Sequence, residues 1–66
     1  MIIYDPFWET LKKKGITTYA LRKHYNISSG TIHRLKHNKP MTTAKLNDLC
    51  HILRCSIEDI MRYEKD

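Results

Sequence analysis

The stretch TTYALRKHYNISSGTIHRLKHNKP, residues 17–40, decides the fold of this chain. It predicts two short helices, over residues 18–25 and 28–37, because a threonine or serine at the start of each can cap its first turn. Asn26, between them, tolerates the left-handed conformation that ends a helix. Two short helices joined by so tight a turn have the dimensions of a helix-turn-helix.

The second of these helices has an apolar side and a basic side. Ile32 and Leu35 are three positions apart and predict the side that packs on the core. The positions that we expect to face mostly outward are Ser29, Thr31, His33, Arg34 and Lys36. None of them is acidic. The following turn, residues 37–40, contains an asparagine and a proline, which end the helix.

A first helix is predicted before this stretch, over residues 6–14. Asp5 followed by Pro6 favours a helix start, and Gly15 supplies the stop. Residues 2–4 are the one place where the pattern leaves room for a strand.

Two more helices are predicted after the central stretch. The first starts at Thr42 or Thr43, because apolar residues then recur at i, i+3, i+4 and i+7. These residues are Leu46, Leu49, Cys50 and Leu53. Ser56 and Asp59 resemble a capping box that opens a short fifth helix. The predicted fold class is therefore all-α, a five-helix bundle in a single domain over residues 1–66.

Charge is distributed unevenly along the chain, whose formal net charge is +5. Residues 10–47 contain nine lysines and arginines and no aspartate or glutamate, so that all seven acids lie elsewhere. A cationic segment indicates an anionic partner, most commonly nucleic acid. The alternative is a basic surface that serves solubility alone.

Composition and motif spacing disfavour several other classes of protein. A chain of 66 residues builds one small core and has little room for a deep catalytic cleft. Since apolar runs are too short for a membrane span or a secretory leader, we expect a cytoplasmic protein. Cys50 and Cys55 are expected to be small, buried apolar side chains. His33 and His37 have the i, i+4 spacing of a chelate, but other ligands at fixed spacing are missing, so no metal or cofactor is predicted.

The chain from residue 7 to about residue 62 resembles the Cro/cI-type (XRE) family of helix-turn-helix regulators, in particular a subgroup of small, stand-alone bacterial and phage proteins. The matching features are Ile27-Ser28 at the start of the second motif helix, the core pair Ile32 and Leu35, and the downstream Cys55-Ser56-Ile57-Glu58-Asp59-Ile60. The resemblance implies a lambda-repressor-like bundle that binds double-stranded DNA sequence-specifically and regulates transcription. Repression is the expected mode, although the sequence does not distinguish repression from activation. It also implies the absence of enzymatic activity.

The resemblance further implies which residues contact DNA. The base-reading positions correspond to Ser29, Gly30, Thr31, His33 and Arg34. The phosphate-contacting positions correspond to Thr17, Thr18, Ser28, His37, Asn38 and Lys39. Arg34 is the strongest candidate for reading sequence, because a guanidinium can bond guanine O6 and N7 together.

Three positions depart from the common family pattern, which has Gln, Ala and Gly where this chain has Thr18, Arg22 and Asn26. Arg22 is the largest departure, since a small residue there lets the two motif helices approach closely. We expect the aliphatic stem of Arg22 to lie along the packing while its guanidinium reaches out to solvent.

The size of the chain leads to an expectation about its binding partners. One small DNA-binding domain buries little DNA surface, so we expect a homodimer on a palindromic operator, with the predicted fifth helix and Met1–Tyr4 as candidate dimer surfaces. No membrane or small-molecule partner is expected.

The competing function is a protein–protein interaction module on the same helical fold. RNA binding would require exposed stacking aromatics among the basic residues, and Tyr19 alone is not such a platform.

Overall fold

The computed structural model describes residues 1–65, and within that range four α-helices are joined by one turn of 3-10 helix and two short strands. In chain order the elements are β1 (Ile2–Ile3), α1 (Asp5–Lys14), α2 (Thr18–Lys23), α3 (Ser29–Lys36), α4 (Thr43–Leu53), the 3-10 turn (Ile57–Asp59) and β2 (Arg62–Tyr63). The prediction of a small, mostly helical domain is confirmed. The four predicted helices up to residue 53 are present within about two residues of their expected bounds.

The predicted fifth helix is instead a single 3-10 turn, so the five-helix count is not confirmed. Its start was predicted correctly, because the Asp59 carboxylate accepts hydrogen bonds from the Ser56 N–H (3.0 Å) and hydroxyl (3.1 Å). These two bonds, the backbone one first, hold the pKa of Asp59 below its ordinary value. The turn does not lengthen into an α-helix because Arg62–Tyr63 extends and pairs with β1.

The two strands form an antiparallel ribbon, with Ile2 opposite Tyr63 and Ile3 opposite Arg62. Met1 and Glu64 extend it by one more pair. The amino group of Met1 donates to the Glu64 carbonyl (2.6 Å), and the Glu64 N–H donates to the Met1 carbonyl (2.7 Å). The candidate strand near residue 2 is therefore present, whereas its partner at Arg62–Tyr63 had not been predicted.

A hydrophobic core draws side chains from every helix. Its largest fully buried side chains are Phe7, Leu21, Leu35, Leu49 and Ile60. The first four come from α1, α2, α3 and α4 in turn, and Leu35 and Leu49 belong to the apolar faces predicted for α3 and α4. Cys50 and Cys55 had been expected to be buried, but they are half-buried and, like Tyr25, pack against the edge of the core.

Each of the four helices is followed by a residue with a left-handed backbone. These residues are Gly15 (φ 66°), Asn26 (φ 55°), Asn38 (φ 53°) and Arg54 (φ 52°). The first three were expected from residue type, since glycine and asparagine tolerate this conformation. Arg54 was not, because arginine has no side-chain preference that favours positive φ.

None of the helices in the described part of the chain combines the length and apolar character that crossing a membrane requires.

Candidate nucleic-acid interface

A serine cap sets the start of α3. Ser28 is extended (φ −68°, ψ 154°), and its hydroxyl accepts a hydrogen bond from the Thr31 N–H at 3.2 Å. The cap satisfies one of the backbone donors that the first turn leaves without an intrahelical partner. The predicted cap residue is thereby confirmed, and α3 begins one residue after it.

The faces of α3 follow from which residues it buries. Thr31, Ile32 and Leu35 are buried, and at about 100° per residue they span an arc of about 100°. The exposed residues cover the rest of the circumference. In order across that outer face they are Lys36, Ser29, His33, His37, Gly30 and Arg34. The face therefore carries polar and basic groups and no carboxylate.

Thr31 is an exception among the predicted base-reading residues. Its side chain is only 3% exposed, and its hydroxyl lies 3.0 Å from the Ser28 hydroxyl. The prediction that Thr31 faces outward is wrong. It lies one turn before Leu35 on the inner side of the helix, where its methyl group packs and its hydroxyl completes the cap.

The C-terminal end of α3 is held by the N-terminal segment of the chain. The Tyr4 hydroxyl donates to the Lys39 carbonyl (2.8 Å), and the Tyr4 N–H donates to Asn38 Oδ1 (2.9 Å). Trp8 Nε1 donates to the Leu35 carbonyl at 3.4 Å. Burial raises the pKa of Tyr4 above its ordinary value, and the protonated phenol is the donor in the bond to Lys39.

These contacts point to a different role for Asn38, which had been predicted to contact phosphate. Asn38 is half-buried, with a left-handed backbone and a side-chain oxygen bonded to the N-terminal segment. Its position indicates a structural role in fixing the end of α3. Nothing local in the sequence signals this role, since the partner Tyr4 is 34 residues away.

Arg34 borders the start of α4. Arg34, Lys45 and the intervening residues 40–42 line one shallow cleft. Thr42 caps α4 there, its hydroxyl accepting from the Lys45 N–H at 3.2 Å. The basic surface of α3 therefore continues onto α4. Lys45 was not among the predicted contacts, although the acid-free segment extends past it to residue 47.

The remaining predicted residues lie at exposed positions. Thr17 caps α2 through a hydrogen bond from the Ala20 N–H (3.1 Å), and Thr18 lines a cleft beside Trp8. Lys39 is exposed on the turn after α3. Arg22 is exposed on α2, so the departure from a small residue buries no charge.

His33 and His37 form the middle of the outer face of α3. Their rings are 4.4 Å apart between centroids and tilted by 48°. Across residues 1–65 no group of three or more histidine, cysteine or acidic side chains is arranged to hold a metal ion. Because both imidazoles are exposed on the outer face, a ligand that binds α3 would contact them.

Comparison with known families identifies this arrangement. A profile described as the Cro/C1-type HTH DNA-binding domain matches residues 7–66. The chain belongs to the Cro/C1-type family of DNA-binding domains. The family resemblance found in the sequence is thereby confirmed, and α2 and α3 are the two helices of its helix-turn-helix.

The Cro/C1-type fold also has a close structural counterpart. The chain is similar to the crystal structure of the transcriptional regulator VanUg, form II, with a TM-score of 0.85 and 23% sequence identity. The match covers 98% of this chain and 87% of the VanUg chain. At that identity the likeness establishes the fold. A comparison with curated proteins gave no match.

Proposed function

We propose that this Cro/C1-type domain, residues 1–66, is a non-enzymatic transcriptional regulator, acting as a repressor, that binds double-stranded DNA with α3 in the major groove. The observation that carries the proposal is the outer face of α3, which is polar, basic and free of acids and continues past Arg34 to Lys45. A surface of this kind suits a polyanion. The turn geometry of the family places such a helix against base edges.

Base reading is assigned to the exposed first turns of α3. Arg34 is proposed to bond guanine in bidentate fashion, a contact worth about 1–3 kcal/mol of discrimination. The other proposed base-facing residues are Ser29, Gly30 and His33. Thr31 is left out because its side chain is buried.

Phosphate contacts are assigned to residues that surround α3. They are Thr17, Thr18, Ser28, His37 and Lys39, with Lys45 added from its place beside Arg34. Hydroxyls, cations and amides at helix starts bind phosphate without reading sequence. Affinity should therefore fall steeply with salt, by close to one power of salt concentration for each phosphate neutralised.

Affinity for one site is proposed to come from two copies of the domain. A single head of this size covers limited DNA, and a symmetric dimer on a palindromic operator doubles the contact. The two half-sites would lie one DNA turn apart, about 34–36 Å, or a multiple of that distance. Sedimentation that finds only monomer, both free and on operator DNA, would contradict this part of the proposal.

The first experiment is selection of bound duplexes from a random DNA pool, followed by titration of the selected site and a scrambled one at two salt concentrations. Recovery of a motif supports sequence-specific regulation. Salt-sensitive binding without a motif would indicate a nonspecific DNA coat. No binding at all would favour the protein-interaction module.

Two matched variants then distinguish a residue that contacts bases from one that contacts phosphate. Arg34→Ala should lower the preference for the selected site over scrambled DNA by about 1–3 kcal/mol. Lys39→Ala should weaken binding to both duplexes about equally and flatten the salt slope by about one unit. An unchanged preference in Arg34→Ala would show that this arginine does not read bases.

A further inference from the structure

Two cysteines meet at the C-terminal end of α4, apart from the proposed DNA interface. The left-handed Arg54 reverses the chain, and the Cys55 N–H donates to the Cys50 carbonyl at 3.0 Å. This backbone pattern is a Schellman motif, which brings the side chains at its first and last positions together. Cys50 and Cys55 occupy those two positions.

The end of α1 provides an internal comparison. There Gly15 is left-handed, and the Ile16 N–H donates to the Leu11 carbonyl at 2.9 Å. Leu11 and Ile16 thus occupy the positions that the cysteines hold on α4, and Ile16 packs against the core cluster that contains Leu11. An apolar contact of this kind commonly accompanies the motif. The same backbone on α4 brings two thiols together.

The two thiols are paired with each other and accessible. Burial and the neighbouring Cys50 raise the pKa of the Cys55 thiol, and both cysteines are free of disulfides and half-buried. A dithiol that the backbone motif holds together can chelate a ligand without rearrangement of the fold. Partial exposure leaves a route by which a small reagent reaches the sulfur atoms.

We propose that Cys50 and Cys55 form a binding site for a soft, thiophilic metal or metalloid centre that takes two sulfur ligands. Thiolates prefer soft centres over hard ones. Zinc is a poor fit, because structural zinc takes four ligands and residues 1–65 contain no group of three or more suitable side chains.

A trivalent organoarsenical is the simplest probe of this chemistry. With phenylarsine oxide, two As–S bonds form and the arsenic–oxygen bond breaks. The oxygen leaves as water with both thiol protons, and no electrons are transferred. Closing the dithiol in this way links the end of α4 to the residue that leads into the 3-10 turn, so we expect the native state to bind more tightly than the flexible unfolded chain.

The experiment titrates phenylarsine oxide into the full chain while free thiols are counted and the thermal midpoint is followed. The expected result is one equivalent bound, loss of both thiols and a rise in the midpoint. Cys50→Ser and Cys55→Ser should each abolish the tight binding and the midpoint shift. Zn²⁺ should bind far more weakly than the arsenical.

The result that overturns the proposal is binding that survives in either serine variant, a stoichiometry of two, or a midpoint that falls. A fall would mean that chelation favours the unfolded chain and that the native thiols are not held together. Circular dichroism of both variants establishes that they are folded before titration. Because DNA binding enters none of these readouts, the test is independent of the proposed function.

Discussion

The two ends of α3 are held in different ways. At its start, Ser28 caps the helix through a bond to a residue only three positions away. At its end, the anchors are Tyr4 and Trp8, which lie 27 to 35 residues away in the chain. The start is exposed and available to a ligand, whereas the end is fastened to the fold. The comparison teaches that distant contacts at its end orient α3, while its outer face, from Ser29 to His37, stays exposed and available for binding.

The largest expected effect is a loss of stability when the Tyr4 side chain, which holds the end of α3, is removed. Tyr4→Ala removes an aromatic side chain that is only 3% exposed, and such truncations cost about 3–5 kcal/mol of the free energy of unfolding. Urea denaturation measures the loss. Tyr63→Ala is the matched control, because that tyrosine is 67% exposed, and it should shift the value by less than about 0.5 kcal/mol. Equal losses in both variants would mean that the anchor contributes nothing specific.

The second-largest effect is expected at Asn38, where one substitution removes the side-chain contact and leaves the backbone conformation accessible. Asn38→Gly keeps the freedom to adopt positive φ but removes the oxygen that accepts the Tyr4 N–H. A buried donor left without its acceptor costs about 1–3 kcal/mol. Asn26→Gly, at the other left-handed asparagine, should change stability by less than about 0.5 kcal/mol. Thermal unfolding of both variants tests this, and a similar small change at Asn38 would contradict the anchoring role.

A smaller effect is expected at the start of α3. Ser28→Ala removes the cap and should cost about 1 kcal/mol. The neighbouring Ser29→Ala serves as control, since Ser29 is exposed and lies inside the helix rather than at the cap. Chemical denaturation of the two variants measures the difference. If Ser29→Ala were the more destabilising, the assignment of the cap would be wrong.

The smallest expected effect is a gain in stability. An added Cβ at Gly30 would meet Ser28 Oγ at 3.9 Å, an ordinary contact, so Gly30→Ala should stabilise α3 by up to about 1 kcal/mol. If Gly30 lets the backbone approach DNA, the same variant should bind the selected site more weakly. Stabilisation with unchanged DNA affinity would mean that the glycine is merely tolerated.

The same comparison explains what the sequence could predict. The cap at Ser28 was predicted, and the caps at Thr17 and Thr42 were each narrowed to two neighbouring threonines, because the partners of all three caps lie three residues away. The exposed face of α3 follows from helical spacing. Thr31, which had been predicted to face outward, obeys the same spacing, because it lies one turn before Leu35 on the buried side. These features obey local rules, and local rules are visible in a single sequence.

The features that were missed depend on distant parts of the chain. The anchoring of Asn38 by Tyr4 joins positions 34 residues apart. The fifth helix was overestimated because its continuation competes with pairing to β1, which the local pattern does not contain. Lys45 joins the basic surface only because the turn after α3 brings α4 beside Arg34.

The pairing of β1 with β2 has a consequence for synthesis of the protein. Ile2 leaves the ribosome about sixty residues before Tyr63, its partner in the ribbon. Because closure of so long a loop comes late, the short-range helical turns can form first and the ribbon last. Until Tyr63 has emerged, β1 is an unpaired edge on the nascent chain.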